Sequence, residues 1–467
     1  MHKPYTRKVT AIERFFARSP FAIVTMVARI RGEVTERSLR TAVDQVKARH
    51  PNLSVRIVQD EDGDPLLTTE GAQEIPVVVV PRQSDDHWAS VVAESSRIPF
   101  EFETHPAVRI FLIQSPAESE LVILCHHIIC DGLSLAYVTR DILQQLGNPA
   151  REVEVLPDPI PIGLDNIAPD VSTSSIVRFF INRMNKQWDS EKILFDQADY
   201  RTLTSAYWGR YTHQVLPIEL SEDETTSLIE RCRNEEVTVN SALAAAFVAA
   251  QAIVLDEKSL HPGIGIGASL RDRLRVPAGE VMGFYAGIAT LKHKYNHKAG
   301  FWENARNIHR KATSQYANKT LFNDLLNWLH LDPTIMESIH FKRIGVLVQA
   351  EADQSTKLFD FSQRADVISS ILKRDNMDSL DKIYWGTAVT NLTRLDFPTA
   401  YGDLELDRLI FKPGGGFPLV TVNLVVGAVT CAGKLSIVVE YVEDNIQFET
   451  MEQIKEKALE CLFTDSS

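Results

Sequence analysis

Apolar residues along this chain fall into short strand-like runs and into stripes at helical spacing. Residues 21–30 (FAIVTMVARI) form a nearly continuous apolar run and predict a buried strand. Thr35 then caps a helix in which Leu39, Ala42, Val43 and Val46 share one face, and Pro51 ends it after Arg49 and His50. Residues 53–58 predict a second strand and 77–80 a short one. Trp88, Val91, Val92 and Ser95 mark a helix, and 108–113 a further strand. Residues 122–125 predict another buried strand, which runs directly into His126 and His127. A turn follows, then a helix capped by Ser134, with Leu135, Val138, Ile142 and Leu146 on one face and Gly147 as its stop.

The pattern then changes. Five prolines (149, 157, 159, 161 and 169) are spread through a stretch with few helix signals, which reads as a semi-rigid crossover linker. Beyond it comes an amphipathic helix at 174–188, whose Arg178, Arg183 and Lys186 read as a solvated face. A strand at 211–220 follows, then a helix opened by a Ser221/Glu224 capping box. Next is an alanine-rich helix at 239–252, capped by Thr238. Strands are predicted at 263–269, 283–289, 383–392, 404–412, 419–426 and 434–441. Helices are predicted at 301–316, 321–329 and 451–461, and the pattern over 357–382 assigns no element. The class is mixed α/β, closer to α+β than to a regular βα alternation. It divides into an N-terminal subdomain (1–147), the linker (148–172) and a C-terminal subdomain (173–467).

Composition adds mostly exclusions. The chain has 467 residues, 44% of them apolar and 24% charged, as expected for a globular protein with a large core. Its net charge of -13 argues against nucleic acid as the main partner. Five scattered cysteines without a CxxC pair suggest neither a disulfide framework nor a zinc ribbon. The first residues lack the apolar core of a secretory signal, and no apolar run is long enough to span a bilayer, so a cytoplasmic protein is expected.

The chemistry concentrates at His126, His127, Asp131 and Gly132, spaced HHxxxDG. Adjacent strand positions point to opposite faces, so one histidine faces a cavity while the other packs. An imidazole with an ordinary pKa of ~6.5 can take a proton from a nucleophile and return it to a leaving group. No GxSxG nucleophile elbow is present, so such a base acts on a hydroxyl or amine of the substrate. A satisfied core pair is the plainer reading of the two histidines. Metal ligation by His126, His127 and Asp131 is disfavoured, because neighbouring strand positions point apart and no third ligand lies nearby. Cys125 and Cys130 read as small buried residues. Lys412-Pro413-Gly414-Gly415-Gly416 lacks the Lys-Ser/Thr of a phosphate loop and reads as a hairpin or active-site loop.

The motif resembles that of the thioester-dependent acyltransferases built as a pseudo-dimer of chloramphenicol-acetyltransferase-like halves. These include condensation domains of nonribosomal peptide synthetases, plant BAHD enzymes, and polyketide-associated and wax-ester-type acyltransferases. Further stretches resemble family elements in the family's order: Arg49-His50-Pro51, residues 99–109, the helix opening at Thr238-Val239-Asn240, the arginine-bearing segment 271–283, and Thr390-Asn391. The resemblance implies two subdomains around a central tunnel, with His127 as general base and His126 packed. It implies that Asp131 is turned away from the cavity and braced by an arginine of the other half, Arg271 first and Arg273 second, and that Gly132 keeps the turn tight. Thr390, Asn391 and Tyr285, with Phe284, are candidate substrate-lining residues. The chain departs from the family in reading Asn391-Leu392-Thr393-Arg394 where relatives carry TNxGR, and in lacking the plant DFGWG element. Stand-alone bacterial-type members are therefore the nearer match.

The expected activity is acyl transfer from coenzyme A or a carrier-protein phosphopantetheine thioester to a hydroxyl, forming an ester in lipid or secondary metabolism. The alternatives are an amide-forming condensation protein and a non-catalytic relative that binds carrier proteins. The expected enzyme is a monomer that holds no metal or bound cofactor. Its partners are a small acyl donor, an alcohol or amine acceptor and an acyl or peptidyl carrier protein.

Overall fold

The computed structural model describes residues 4–464, apart from 62, 349–352, 375–376, 381 and 415–420. Its largest sheet has six strands, in the order Ala400–Tyr401, Leu404–Lys412, Ile23–Arg31, Glu118–His126, Val108–Gln114, Val77–Pro81. All neighbours are antiparallel except the last pair. Ile23–Arg31 and Glu118–His126 lie side by side at its centre, and this accounts for their nearly unbroken apolar runs: every residue but one end of each strand is buried. Where a charge does enter, it is paired. Buried Arg29 donates to Glu120 at 3.1 Å and to Glu219 at 2.8 Å.

A four-stranded sheet follows the order Trp385–Arg394, Val422–Cys431, Lys434–Val442, His213–Glu219. The hairpin Gly263–Ser269 with Ala286–Lys292 packs beside Trp385–Arg394. A small three-stranded sheet joins Thr6–Lys8, Pro65–Thr68 and Arg56–Gln59. The strand Leu404–Lys412 crosses over: it comes from the second half of the chain and pairs with Ile23–Arg31 of the first. No helix or strand occurs between Gly147 and Ser175.

Several sequence expectations need correction. Residues 53–58 are not one strand. Pro51 starts a 3-10 turn, Pro51–Ser54, and the strand is only Arg56–Gln59. The strand expected at 283–289 begins at Ala286, because residues 283–285 are held out to meet Ser134 and Asp131. Helices also occupy Ala11–Phe16, Gln197–Arg210, Pro333–Ile344, Asp353–Gln363 and Val367–Arg374. The first part of the strand expected at 419–426 lies outside the described residues. Among the described residues, no single helix is long and apolar enough to cross a membrane.

Candidate active site

Strand alternation separates the two histidines. His126 is the last residue of its strand, paired with Ile23, and is fully buried. Its Nε2 lies 3.0 Å from the Ser19 carbonyl and its Nδ1 accepts from Ile128 N at 3.3 Å, so one neutral tautomer satisfies both nitrogens. Burial, the largest influence, pushes its pKa down to about 3. His126 is therefore a core residue.

His127 turns the other way. Its ring stands between Phe16 and Phe284, at centroid distances of 5.0 and 5.6 Å, and lines a cavity of about 110 Å³. Burial lowers its pKa, which favours the neutral imidazole at pH 7. Both ring nitrogens face carbonyl oxygens: Nδ1 lies 3.1 Å from Cys130 O, and Nε2 lies 3.2 Å from Pro413 O. A neutral imidazole carries one N–H, so it can donate to only one of them. With the proton on Nδ1, the Nε2 lone pair points at the Pro413 oxygen, a contact that an incoming O–H or N–H donor would replace favourably. The position of Pro413 is set by its neighbours. Buried Lys412 pairs with Glu440 at 2.6 Å, and Gly414 N donates to the same carboxylate at 3.3 Å. Nearby Lys412 is the main reason that the Glu440 carboxyl is held down at about 2 despite burial, which acts in the opposite direction and is the largest influence. Glu440 was not singled out from the sequence. Nothing in a strand reading IVVEYV marks the glutamate that anchors a loop on another sheet. Gly415 and Gly416 of the same loop lie outside the described residues.

Asp131 borders the His127 cavity, and its carboxylate is held by groups within the protein. It is the N-cap of the helix Gly132–Gly147, and its Oδ1 accepts from Ser134 N at 2.7 Å. The cap is thus Asp131 and not Ser134, which sits one turn in. Ser134 Oγ instead accepts from Arg271 Nη2 at 2.7 Å and from Gly283 N at 3.1 Å. Arg271 Nη2 also donates to Asp131 Oδ1 at 2.8 Å, while its Nη1 donates to the Gly279 and Val281 carbonyls. Asp131 Oδ2 accepts from Tyr285 N at 3.0 Å. Arg273 is directed elsewhere, to Tyr316 O and Asn318. The metal-ligand alternative has no geometric basis: His126 and His127 face apart, and Asp131 is committed to Arg271. Cys125 and Cys130 are buried, and burial raises the Cys130 thiol well above its ordinary range.

Gly132 opens the motif helix. It lies in the first helical turn and is not among the glycines with positive φ. What it provides is space, because a Cβ there would lie 2.7 Å from the Phe411 ring and 2.8 Å from Leu392. The Arg49-His50 pair, noted only as a resemblance, holds the motif helix: both side chains contact Asp141 Oδ2 at 2.8 Å, and Arg49 reaches Glu280 at 2.6 Å. Asn52 adds a bond to Met282 O at 2.9 Å.

The His127 cavity shares walls with two larger ones. Phe16, Phe284 and Ile288 separate it from an apolar cavity of about 430 Å³, lined also by Ile181, Met184 and Leu325. Gly132, Gly267 and Thr390 separate it from a more polar cavity of about 760 Å³, where Asn240, Arg273, His309, Asn391 and Arg394 gather. Thr390 faces both cavities on its side, and Asn391 faces the outer one, where its Oδ1 also accepts from Thr393 N at 2.8 Å. Tyr285 borders the polar cavity, but its hydroxyl is committed to Ile160 O at 3.1 Å and its ring lies under Arg271. Among the described residues, no group of three or more His, Cys, Asp or Glu is placed to hold a metal ion.

Residues 7–152 match the family described as Condensation domain. The chain is 28% identical over 231 residues to cyclosporin synthetase of Tolypocladium inflatum, covering 48% of this chain. It is 23% identical over 304 residues to the nonribosomal peptide synthetase kk1B of Curvularia clavata, covering 62% of this chain. The match spans 2% of the length of each of these two relatives. Two solved structures share the fold over nearly the whole chain. One is the TRI3 trichothecene 15-O-acetyltransferase of Fusarium sporotrichioides, with TM-score 0.63, 12% identity and 98% and 94% of the two chains covered. The other is the first condensation domain of the CDA synthetase, with TM-score 0.58, 12% identity and 98% and 96% covered.

Proposed function

We propose that this protein is a member of the condensation-domain superfamily and transfers an acyl group from a thioester to an amine, forming an amide, with His127 as the general base. The observation that carries the reading is the placement of neutral His127 in a small cavity walled in common with two larger ones, one apolar and one polar. Together the three form the proposed tunnel. The acyl chain occupies the apolar arm. The acceptor and the pantetheine portion of coenzyme A or of a carrier protein use the polar arm, where amide and phosphate groups find partners.

In this reading the acceptor N–H displaces the Pro413 oxygen from Nε2. His127 removes the proton as the nitrogen attacks the thioester carbonyl, and the tetrahedral adduct expels the thiolate, which takes the proton. Thr390, which lines the His127 cavity and is given room by Gly267, is the proposed side-chain donor for the oxyanion. Asp131 and Arg271 position the loop and take no part in proton transfer.

Ester formation, the preference that the sequence alone suggested, gives way to amide formation. The matching sequence relatives are peptide synthetases, and the fold is shared by an O-acetyltransferase and a condensation domain alike. The discriminating experiment offers one acyl N-acetylcysteamine thioester to an amine and to the alcohol of the same carbon skeleton. Amide formed in excess supports the proposal; ester formed in excess would return the assignment to an O-acyltransferase.

A further inference from the structure

The helix Ser175–Glu191 has two unlike faces. Inward, Ile181 and Trp188 are buried, Trp188 Nε1 donates to Thr334 at 2.7 Å, and Asn185 is bonded to His330 O and Asp332 N. Val177, Ile181 and Met184 of this inner side wall the apolar cavity next to His127. Outward, Ile176, Phe179 and Phe180 are 71%, 64% and 58% exposed. Ile176, Phe179, Arg183 and Lys186 recur at helical spacing and so form one outward row, apolar in its first turns and basic beyond. Arg178, Arg183 and Lys186 precede Asp189 and Glu191 on this helix, so its N-terminal part is basic in a chain of net charge -13.

Large exposed apolar side chains beside a local positive charge mark an interaction surface, not a solvated one. We propose that this helix is an interfacial anchor that lies on an anionic lipid bilayer. Phe179, Phe180 and Ile176 enter the acyl boundary, and Arg183 and Lys186 meet lipid phosphates. Charge complementarity selects an anionic surface. What selects a bilayer over an acidic carrier protein is the cavity directly behind the helix. Most of its wall residues are apolar, chiefly Ile, Leu, Met and Phe, with Thr290, Thr320, Asp324, Asn327 and Arg374 as its polar members; such a wall suits a hydrocarbon chain leaving a membrane better than the two amides of a pantetheine arm. The substrate class that follows is a membrane-resident, long-chain acyl donor or acceptor. That last step rests on the acyl-transfer reading; the anchor itself does not.

The test is sedimentation of the full chain with vesicles of phosphatidylcholine, alone or mixed with phosphatidylglycerol. The expected result is binding to the mixed vesicles that is stronger on the order of tenfold than to the neutral ones, and weaker at high salt. F179S/F180S should lose binding on the order of tenfold, and R183Q/K186Q should remove the preference for anionic lipid. Both variants should retain turnover of a short, water-soluble thioester, which shows that they fold. Equal binding to both vesicle types, or unchanged binding by F179S/F180S, would overturn the proposal. So would hydrogen-exchange protection of this helix by an acidic carrier protein but not by vesicles. An inactive enzyme that binds vesicles would sink the acyl-transfer reading and leave the anchor standing.

Discussion

Arg271 Nη2 lies 2.8 Å from Asp131 Oδ1, a buried ion pair between residues 140 positions apart. Asp131 caps the helix that leaves the His127 turn, and Arg271 gathers the Gly279 and Val281 carbonyls of the other half. The pair is therefore a clasp between two segments that both border the His127 cavity.

Breaking one side leaves the other charge buried. R271A should lose roughly 3–5 kcal/mol of stability, the usual cost of an orphaned buried charge. D131A/R271A should cost clearly less than the sum of the single variants in urea denaturation, because the penalty is shared. Additive losses would mean that the contact carries no coupling.

Gly132→Ala places a methyl group against the Phe411 ring and Leu392. Overpacking of this kind costs about 1–3 kcal/mol. Turnover should fall more than stability, since the same turn carries His127. F411L in the Gly132→Ala background should recover part of both, as read by thermal melting and initial rates. Without recovery, the lost space is not the cause.

Two buried neutral histidines give stability a definite pH dependence. His126 and His340 have folded pKa values lowered to about 3 and about 4, mainly by burial. Their ordinary value is ~6.5, so below it the unfolded chain binds protons that the folded chain does not. The stabilisation is fully present above pH ~6.5 and is lost as pH falls toward the folded values, by up to about 1.4 kcal/mol per pH unit for each histidine. Urea midpoints measured between pH 7 and about 4.5 should show the fall, and His340→Gln should make it shallower. A flat profile in the unsubstituted protein would show that neither histidine is held neutral.

The central elements were legible because their causes are local. Alternation along residues 122–127 separates the roles of the histidines, and the caps at Thr35, Ser221 and Thr238 stand where the sequence puts them. What escaped depends on tertiary placement. Pro333–Ile344 is buried on nearly every side, with Glu337, His340, Lys342 and Arg343 among its buried residues, so it shows no apolar stripe. Gln197–Arg210 buries Gln197, Asp199 and Thr204 along with Tyr200 and Leu203, and fails the same pattern test. The site was readable as a motif but not as a geometry. The partnership of Ser134 with Arg271, the anchoring of Pro413 by Lys412 and Glu440, and the space reserved by Gly132 all arise between segments far apart in sequence.

The acid limb of the pH–rate profile reports the base itself. Burial lowers the His127 pKa, so kcat/KM should rise with pH through a midpoint below the ordinary imidazole value of ~6.5 and then stay level toward neutrality. A midpoint above that value would mean that the imidazole is stabilised as a cation and is not poised as a base.

The most direct measurement is the single-turnover rate of His127→Ala with a thioester donor and an amine acceptor, at unchanged melting temperature. The account predicts a loss of roughly 10²–10⁴-fold, the span of general-base catalysis. His126→Gln, by contrast, should lose stability first, since His126 bonds Ser19 and Ile128 in the core. Turnover by His127→Ala near the unsubstituted rate would contradict the assignment of His127 as the base, and with it the proposed reaction at this site.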